Sequence, residues 1–314
     1  MSTGTASEKV YCFLKVILPY VRRYSDLFEI GCTLFTIGVI AAFWYYRLDE
    51  AEPLLSESVD IFQKLDDPVS QGMIYKTQWF LFLFRGKFSE NLALKRRELE
   101  IYQDLGDRCM TGIALAELAE CAYHLGKYEE AEAQIRTGME LLKDRVKHEY
   151  ALRHRYLGDI LVAQGKCHEA IESYQFSLHY FQTVGESTWT FNALSGLSRA
   201  GLALGDRSSA WEHAIQALRL YREGNVLDFF VYQALAVFAL LLADKGDIKQ
   251  ALELYGKALS QPNLANSRWF ADVYGKEIEK AASSMTCEEQ AELKQAGQSM
   301  DLSQSLKDFF PMLE

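Results

Sequence analysis

The sequence predicts an all-α protein that is built from repeated helical hairpins. Glycines recur at nearly equal intervals of 40, 39, 40 and 41 residues along a series that begins at Gly86 and ends at Gly246. On both sides of these glycines, apolar residues follow the i, i+3, i+4 spacing of one helix face. No stretch alternates apolar and polar residues as a half-buried strand does. Regular spacing at this length is the signature of a repeat architecture.

Each repeat is marked by a turn of the form Gly-x-apolar-x-x-Ala between two helices. The glycine allows the left-handed backbone conformation that ends a helix, because it has no Cβ. The apolar residue fills the corner between the helices, and the alanine lets them approach closely. Six turns, the first with tyrosine in place of glycine, begin at Tyr46, Gly86, Gly126, Gly165, Gly205 and Gly246.

The period divides the chain into three predicted parts. Residues 1–30 form an N-terminal cap or a degenerate helical hairpin, residues 31–270 form six repeats, and residues 271–314 form a C-terminal helix and a capping tail. Within the tail, Thr286 and Glu289 have the spacing of a helix capping box. The six predicted repeats are 31–70, 71–110, 111–150, 151–190, 191–230 and 231–270.

The repeats resemble the tetratricopeptide repeat (TPR). The small residue that this family places in the first helix of each hairpin is matched by Ala119, Gly158, Ser198 and Ala239. The period of about 40 and the Leu-Gly-Asp ending at residues 105–107 resemble the long repeats of bacterial signal-transduction ATPases with numerous domains (STAND), of the maltose-activator and antibiotic-regulator types. The resemblance implies a right-handed α-solenoid that serves as the sensor or arm beside a nucleotide-binding module.

Composition and motifs exclude several functions. With 33 Lys and Arg against 43 Asp and Glu, the net charge of −10 argues against nucleic-acid binding, which depends on phosphate neutralisation. No Gly-Lys pair is followed by Ser or Thr, so the chain carries no P-loop. No sequence motif implies an enzyme, a cofactor or a metal site. Six scattered cysteines without a Cys-x-x-Cys pair predict reduced thiols and a cytoplasmic location.

One segment offers a membrane alternative. Residues 30–46 carry no charge, and seventeen residues lie at the lower limit for a bilayer-spanning helix. The repeat register instead makes this segment the first helix of the first repeat. We therefore expect a buried repeat helix, with a membrane anchor as the less favoured hypothesis.

The candidate site is the concave face of the array, which in tetratricopeptide repeats is lined by the first helix of each hairpin. Counting back from each turn, and assuming the family's register, places one set of residues on this face. They are Lys76, Phe80, Phe84, Glu117, Glu120, Tyr123, His124, Arg155, Tyr156, Asp159, Asn192, Ser195 and Arg199.

The chemistry of this set changes along the array. The N-terminal part is apolar and is interpreted either as groove lining or as core between repeats. In the middle, Arg155 and Arg199 are suited to bind a carboxylate or phosphate bidentately. The alternative is that these arginines pair with Glu117, Glu120 and Asp159 in a salt-bridge network that binds no ligand.

We therefore expect a non-enzymatic interaction or sensor module. Its partner is a protein, a peptide or a small-molecule inducer in the groove, and the resemblance suggests an adjacent nucleotide-binding module. The alternatives are a stand-alone receptor for a peptide pheromone, a protein-assembly scaffold, and, with less support, a membrane-anchored scaffold.

Overall fold

The all-α prediction is confirmed. A computed structural model of the chain shows only helices and connecting turns, and no strand, in the residues that it describes. These residues are 6–45, 47–65, 75, 78–79, 82–224, 226 and 228–306. By their contacts they fall into two compact units, residues 1–98 and 99–314.

The first unit begins with three helices, which are α1 (Ala6–Tyr24), α2 (Leu27–Tyr45) and α3 (Leu48–Leu65). Buried apolar residues recur along α2 at the spacing of one helix face, which explains its packing against α3. Contact is close because Gly38 lies against the Leu55 side chain. The buried Ser58 hydroxyl donates to the Gly31 carbonyl at 2.8 Å, which adds a hydrogen bond between the two helices.

Residues 30–45 of the predicted membrane segment lie in α2, and residue 46 lies outside the described residues. None of the helices in the described part of the chain combines the length and apolar character that a membrane crossing requires. Side chains near the start of α2, including Ile30 and Leu34, are buried in the core that α2 forms with its neighbours.

A further helix, α4 (Phe88–Asp104), follows the turn at Gly86 and runs across the boundary between the units. The described residues of the second unit then form four helical hairpins. Their first helices, termed A helices, are α5 (Arg108–His124), α7 (Lys147–Ala163), α9 (Ser187–Ala203) and α11 (Asp228–Lys245). Their second helices are α6 (Tyr128–Leu142), α8 (Cys167–Val184), α10 (Arg207–Arg222) and α12 (Ile248–Ala258).

The turns have the backbone conformation that the sequence predicts. All five predicted turn glycines have positive φ, between 65° and 91°. Three further glycines with positive φ, Gly106, Gly185 and Gly224, follow the ends of α4, α8 and α10. A left-handed residue after the last helical turn satisfies carbonyls that would otherwise lack partners.

Aspartate completes several of these turns. Asp107, Asp206 and Asp247 directly follow positive-φ glycines, and each side chain accepts a hydrogen bond from the backbone N–H three residues ahead. The Gly-Asp pair therefore ends one helix and caps the next. This is the physical reason why aspartate follows glycine at these three turns.

After α12 the chain leaves the hairpin pattern. It forms two short helices, α13 (Pro262–Ala265) and α14 (Arg268–Phe270), a π-helix (Ala271–Gly275) and α15 (Lys276–Ala281). The last described helices are α16 (Cys287–Ser299) and α17 (Leu302–Leu306). Glycines of α12 and α16 pack against backbone, which brings these two helices together.

The predicted capping box at the start of α16 is confirmed. The Glu289 N–H donates to the Thr286 hydroxyl oxygen at 3.2 Å, and the Thr286 N–H donates to the Glu289 carboxylate at 2.7 Å. Two backbone donors at the helix N-terminus are satisfied in this way.

Candidate functional site

The structure places ten of the thirteen predicted site residues on the A helices of the second unit. Lys76 and Phe80 lie outside the described residues. Phe84 belongs to the first unit and is buried, as expected of core rather than of groove lining. The ten remaining residues occupy α5, α7 and α9, which are the first three of the four A helices.

A segment from the C-terminal part of the same chain lies against these A helices. Residues 267–276, here termed the inner segment, contact α5 through α14, and α7 and α11 through the π-helix. Contact with α9 is made by Arg199, whose Nη2 and Nε donate to the Val273 carbonyl oxygen at 2.8 and 3.1 Å. The surface that carries the predicted site is therefore covered, in this region, by the chain itself.

Trp269 is the anchor of the inner segment. Its side chain is 1% exposed, and its indole N–H donates to the Asp159 carbonyl oxygen at 2.9 Å. The ring meets Tyr123 edge-on, with 5.4 Å between centroids, and meets Tyr274 in the same way at 5.6 Å. A large aromatic ring with its polar atom satisfied is a strong packing element in a core or an interface.

Polar contacts fix the segment on both sides of this ring. His124 Nδ1 lies 2.7 Å from the Ser267 hydroxyl oxygen, and the Tyr128 hydroxyl donates to the Asp272 carboxylate at 2.7 Å. Burial, and then the positive charge of Arg155, lower the pKa of His124 to about 3. The imidazole is therefore neutral at pH 7 and forms an uncharged hydrogen bond with the serine.

Beneath the inner segment lies a buried ion pair on α7. Arg155 Nη2 is 2.7 Å from the Asp159 carboxylate, and both side chains are at most 6% exposed. The Tyr174 hydroxyl donates to the same carboxylate at 2.6 Å, and the Arg155 guanidinium lies 4.3 Å from the centre of the Tyr156 ring. Burial raises the pKa of Asp159, although Arg155 and the tyrosine hydroxyl act in the opposite direction.

Glu120 is the other buried acid at this site. Burial raises its pKa to about 7, against the opposing effect of Arg153 and Arg155. Arg153 itself contacts Glu149 on the same helix at 2.6 Å. The ion pairs Arg155–Asp159 and Arg153–Glu149 each join residues four apart on one helix, and the first is among the pairings that the salt-bridge alternative named.

Two of the predicted site residues on α9, Asn192 and Ser195, form hydrogen bonds to backbone carbonyls of their own helix. The Asn192 amide donates to the Thr188 carbonyl, and the Ser195 hydroxyl donates to the Phe191 carbonyl. Arg199, which was predicted to bind an anion, binds a backbone carbonyl of the inner segment, and Arg155 binds Asp159. Seven of the ten residues are buried, and Glu117, Ser195 and Arg199 are partly exposed.

An open cleft borders the covered surface on the side of Arg199. Its volume is about 580 Å³, and α9, α11 and α15 form its walls. Both charge signs are present, because the lining includes Lys280 as well as Glu277 and Asp244. Asp244 is bound by the Arg207 guanidinium at 2.6 Å. The lining residues are Arg199, Leu202, Ala203, Leu240, Ala243, Asp244, Glu277, Lys280 and Ala281.

Sequence reasoning did not identify the inner segment as part of the site. The available signal was the density of aromatic residues in a stretch that continues no repeat, at Trp269, Phe270 and Tyr274. Tyr128 occupies the corner position of the turn that begins at Gly126, yet its hydroxyl also reaches Asp272.

Comparisons with known proteins support the repeat assignment. The chain matches no protein-family profile and no curated protein sequence. It is similar in structure to a Rap protein in complex with Competence and Sporulation Factor, at 14% identity and a TM-score of 0.67, over 96% of this chain and 88% of that one.

Two further structures share the fold. A STAND protein with a tetratricopeptide repeat sensor from Pyrococcus horikoshii matches over 93% of this chain and 42% of its own length, at 18% identity and a TM-score of 0.54. BtubC from P. vanneervenii matches over 71% of this chain and 93% of its own, at 19% identity and a TM-score of 0.54. The resemblance to TPR-like repeat proteins is confirmed at the level of the fold.

Proposed function

We propose that this chain is a non-enzymatic, TPR-like module that binds a protein or peptide segment on the A helices of its second unit. A single observation carries the proposal. These helices already hold a linear segment, the inner segment, through contacts that a bound peptide would also make. One arginine binds a backbone carbonyl, and one pocket accepts a tryptophan whose indole N–H finds a carbonyl partner.

Such contacts suit recognition of a segment rather than catalysis. Backbone carbonyls exist in every peptide, so the Arg199 contact supplies affinity with little sequence preference. The pocket around Trp269 supplies preference for an aromatic anchor, the residue type that dominates binding energy at interfaces. In this proposal an external segment takes the place of the inner segment and uses the same donors and the same pocket.

The biological setting is proposed from the neighbours of similar fold. One of them is a sensor within a STAND protein, and we propose that this chain serves as such a sensor for an attached nucleotide-binding module. A stand-alone peptide-pheromone receptor is the alternative, supported by the Rap protein solved with Competence and Sporulation Factor. Six free cysteines support our placement of the module in the cytoplasm.

The test is a peptide exchange experiment. A fluorescein-labelled peptide of residues 262–281 is titrated into the wild type and Trp269→Ala, with fluorescence anisotropy as the readout. We expect micromolar binding by Trp269→Ala and none by the wild type. The reason is that the intact chain presents its own segment at an effective concentration in the millimolar range.

Two further variants make this experiment specific. Trp211→Ala removes a partly exposed tryptophan of α10 that packs on Lys245, away from the inner segment, and is expected to behave like the wild type. Adding Arg199→Ala to Trp269→Ala is expected to weaken peptide binding at least tenfold. If circular dichroism shows Trp269→Ala to be folded and it binds no peptide, the inner segment is permanent core and the proposal is wrong.

The cleft of about 580 Å³ favours a second candidate function, the binding of a small-molecule inducer. Its volume falls within the range of small-ligand sites, and Arg199 and Lys280 offer positive charge to a carboxylate or phosphate. A thermal-shift screen of metabolites tests it, because a ligand of the folded state raises the melting temperature. The shift should disappear in Lys280→Ala; a shift that persists would locate the ligand elsewhere.

A further inference from the structure

A second cavity lies in the same unit, away from the inner segment. Its volume is about 360 Å³, and it is enclosed by α6, α7 and α8. Tyr150, His154, Leu157 and Leu161 line it from α7, and their spacing of three or four residues places them along one side of that helix. Asp159 lies elsewhere on the helix circumference, and its carbonyl receives Trp269. This cavity is here termed the outer pocket.

The floor of the outer pocket is apolar and its wall is aromatic. Met139 and two leucines form the floor. In the wall, Phe176 meets Tyr150 edge-on at 5.5 Å between centroids and lies over the His154 ring at 4.1 Å. Tyr150 and His154 are also perpendicular, at 4.8 Å. Three rings in mutual contact present π faces and edges around one apolar space.

The rim is acidic. Glu140 and Glu172 are exposed and have no ion-pair partner within the described part of the chain. A third carboxylate, Glu169, lies 3.5 Å from Arg136, which also binds Glu132 at 2.8 Å. Lys166 also binds Glu132 at 2.7 Å, so Arg136 and Lys166 balance Glu132 and Glu169, and the two unpaired carboxylates leave the mouth of the pocket negative.

His154 adds an unused hydrogen-bonding group to the wall. Among the residues that the structure describes, neither of its ring nitrogens has a hydrogen-bond partner, and both are shielded from solvent. Burial, and then the charge of Arg136, lower the pKa of His154 to about 4. The ring is therefore neutral at pH 7 and offers one lone pair to a donor. Phe176, which is 45% exposed, lies against the ring, so a ligand reaches the nitrogens by displacing a surface side chain.

We propose that the outer pocket binds an organic cation with an apolar stem, an alkylammonium or alkylguanidinium group. The stem would contact Met139 and the leucines, and the positive head would lie between the aromatic rings and the two unpaired carboxylates. A cation gains from ring faces and from the acidic rim together. An anion is repelled by the same rim, and a purely apolar group leaves the rim and His154 without a partner. Lysine or arginine in a partner segment carries this chemistry, as does a free amine.

Calorimetric titration of the full chain tests the proposal. The probes are the N-acetyl methylamides of lysine, arginine and norleucine, with 1,5-diaminopentane as the free amine. We expect binding of the lysine or arginine compound and at least tenfold weaker binding of norleucine, which has a stem of similar length without the charge. Binding of the diamine alone would assign the site to free amines, whereas binding of the amino-acid amides alone would assign it to a peptide side chain.

A matched pair of variants separates the pocket from general charge effects. Glu140→Gln with Glu172→Gln removes the two unpaired carboxylates at exposed positions, and we expect affinity to fall about tenfold. Glu100→Gln with Glu292→Gln changes the net charge equally at exposed positions outside the pocket and should leave affinity unchanged. The proposal is overturned if no cation binds, if norleucine binds equally well, or if the two double variants weaken binding to the same extent.

Discussion

Single glycines have two opposite uses in this chain. At the turns, Gly165 and Gly205 have positive φ and open space around them, so backbone conformation alone selects glycine there. Inside helices, Gly158 and Gly196 have ordinary helical geometry, but both lie against the Tyr174 ring, and a Cβ at either position would overlap the ring. These two glycines let α7 and α9 enclose the ring whose hydroxyl binds Asp159.

Two glycines inside α9 allow the contact with the Tyr174 ring to be separated from the effect of helix propensity. Gly196→Ala places a methyl group inside the Tyr174 ring, and we expect a loss of roughly 1–3 kcal/mol in the free energy of unfolding. Gly201→Ala meets nothing closer than 3.5 Å and should be neutral or stabilising by about 0.5–1 kcal/mol, since alanine favours helix. Urea unfolding of both variants gives the comparison. Equal effects would mean that Tyr174 moves aside freely.

Glu120 predicts a particular dependence of stability on pH. Burial raises its pKa to about 7, well above that of an unfolded glutamate, so the folded protein holds a proton that the unfolded chain releases near pH 4.5. Its contribution is therefore greatest at low pH and is lost as the pH rises through 7. Glu120→Gln cannot ionise, and its stability relative to wild type should increase by roughly 3 kcal/mol between pH 4.5 and pH 8.

The measurement is urea unfolding of both proteins at several pH values. Other titrating groups largely cancel in the difference between wild type and variant. A difference that stays constant over this range would show that Glu120 titrates normally in the folded chain.

At the scale of elements, the Gly-Asp pair explains why the hairpins could be predicted from sequence. The helix-ending conformation of the glycine and the capping bond of the aspartate both act within a few residues, so the sequence pattern reports them directly. We expect Asp107→Ala to lose about 1 kcal/mol of stability, because the Met110 N–H loses its acceptor. Asp107→Asn should retain most of it. Asp104→Ala, on an exposed residue before the turn, is the control in thermal unfolding.

The inner segment could not be predicted in the same way. His124 and Ser267 are 143 residues apart, and Asp159 and Trp269 are 110 apart. Nothing local in the sequence specifies these contacts, because they depend on where α12 ends and on the shape of the surface formed by α5, α7 and α9. The register predicted which residues lie on the A helices. It did not predict that Trp269 would cover them. The pairing of Arg155 with Asp159 was one of two alternatives that the sequence left open, and only the structure shows it.

At the scale of the whole molecule, the inner segment connects helices of three successive hairpins, whereas in a simple repeat array each hairpin contacts only its neighbours. In such an array each hairpin contacts the next one, and stability is the sum of local terms. Here Trp269 and Arg199 join α5, α7 and α9 through one segment, so these helices should open together rather than one by one.

Hydrogen exchange of Trp269→Ala examines this cooperation. Removing the ring leaves a large cavity, with an expected cost of about 3–5 kcal/mol. We expect exchange protection to fall together in α5, α7 and α9, because the segment contacts all three. The control, Trp211→Ala, should reduce protection mainly in α10 and α11, the two helices that the Trp211 ring and Lys245 connect. Loss of protection confined to residues 267–276 would mean that the A helices are stable without the segment. An external partner could then replace the segment at little energetic cost. Loss of protection in α5, α7 and α9 together would instead mean that replacing the segment also loosens these hairpins.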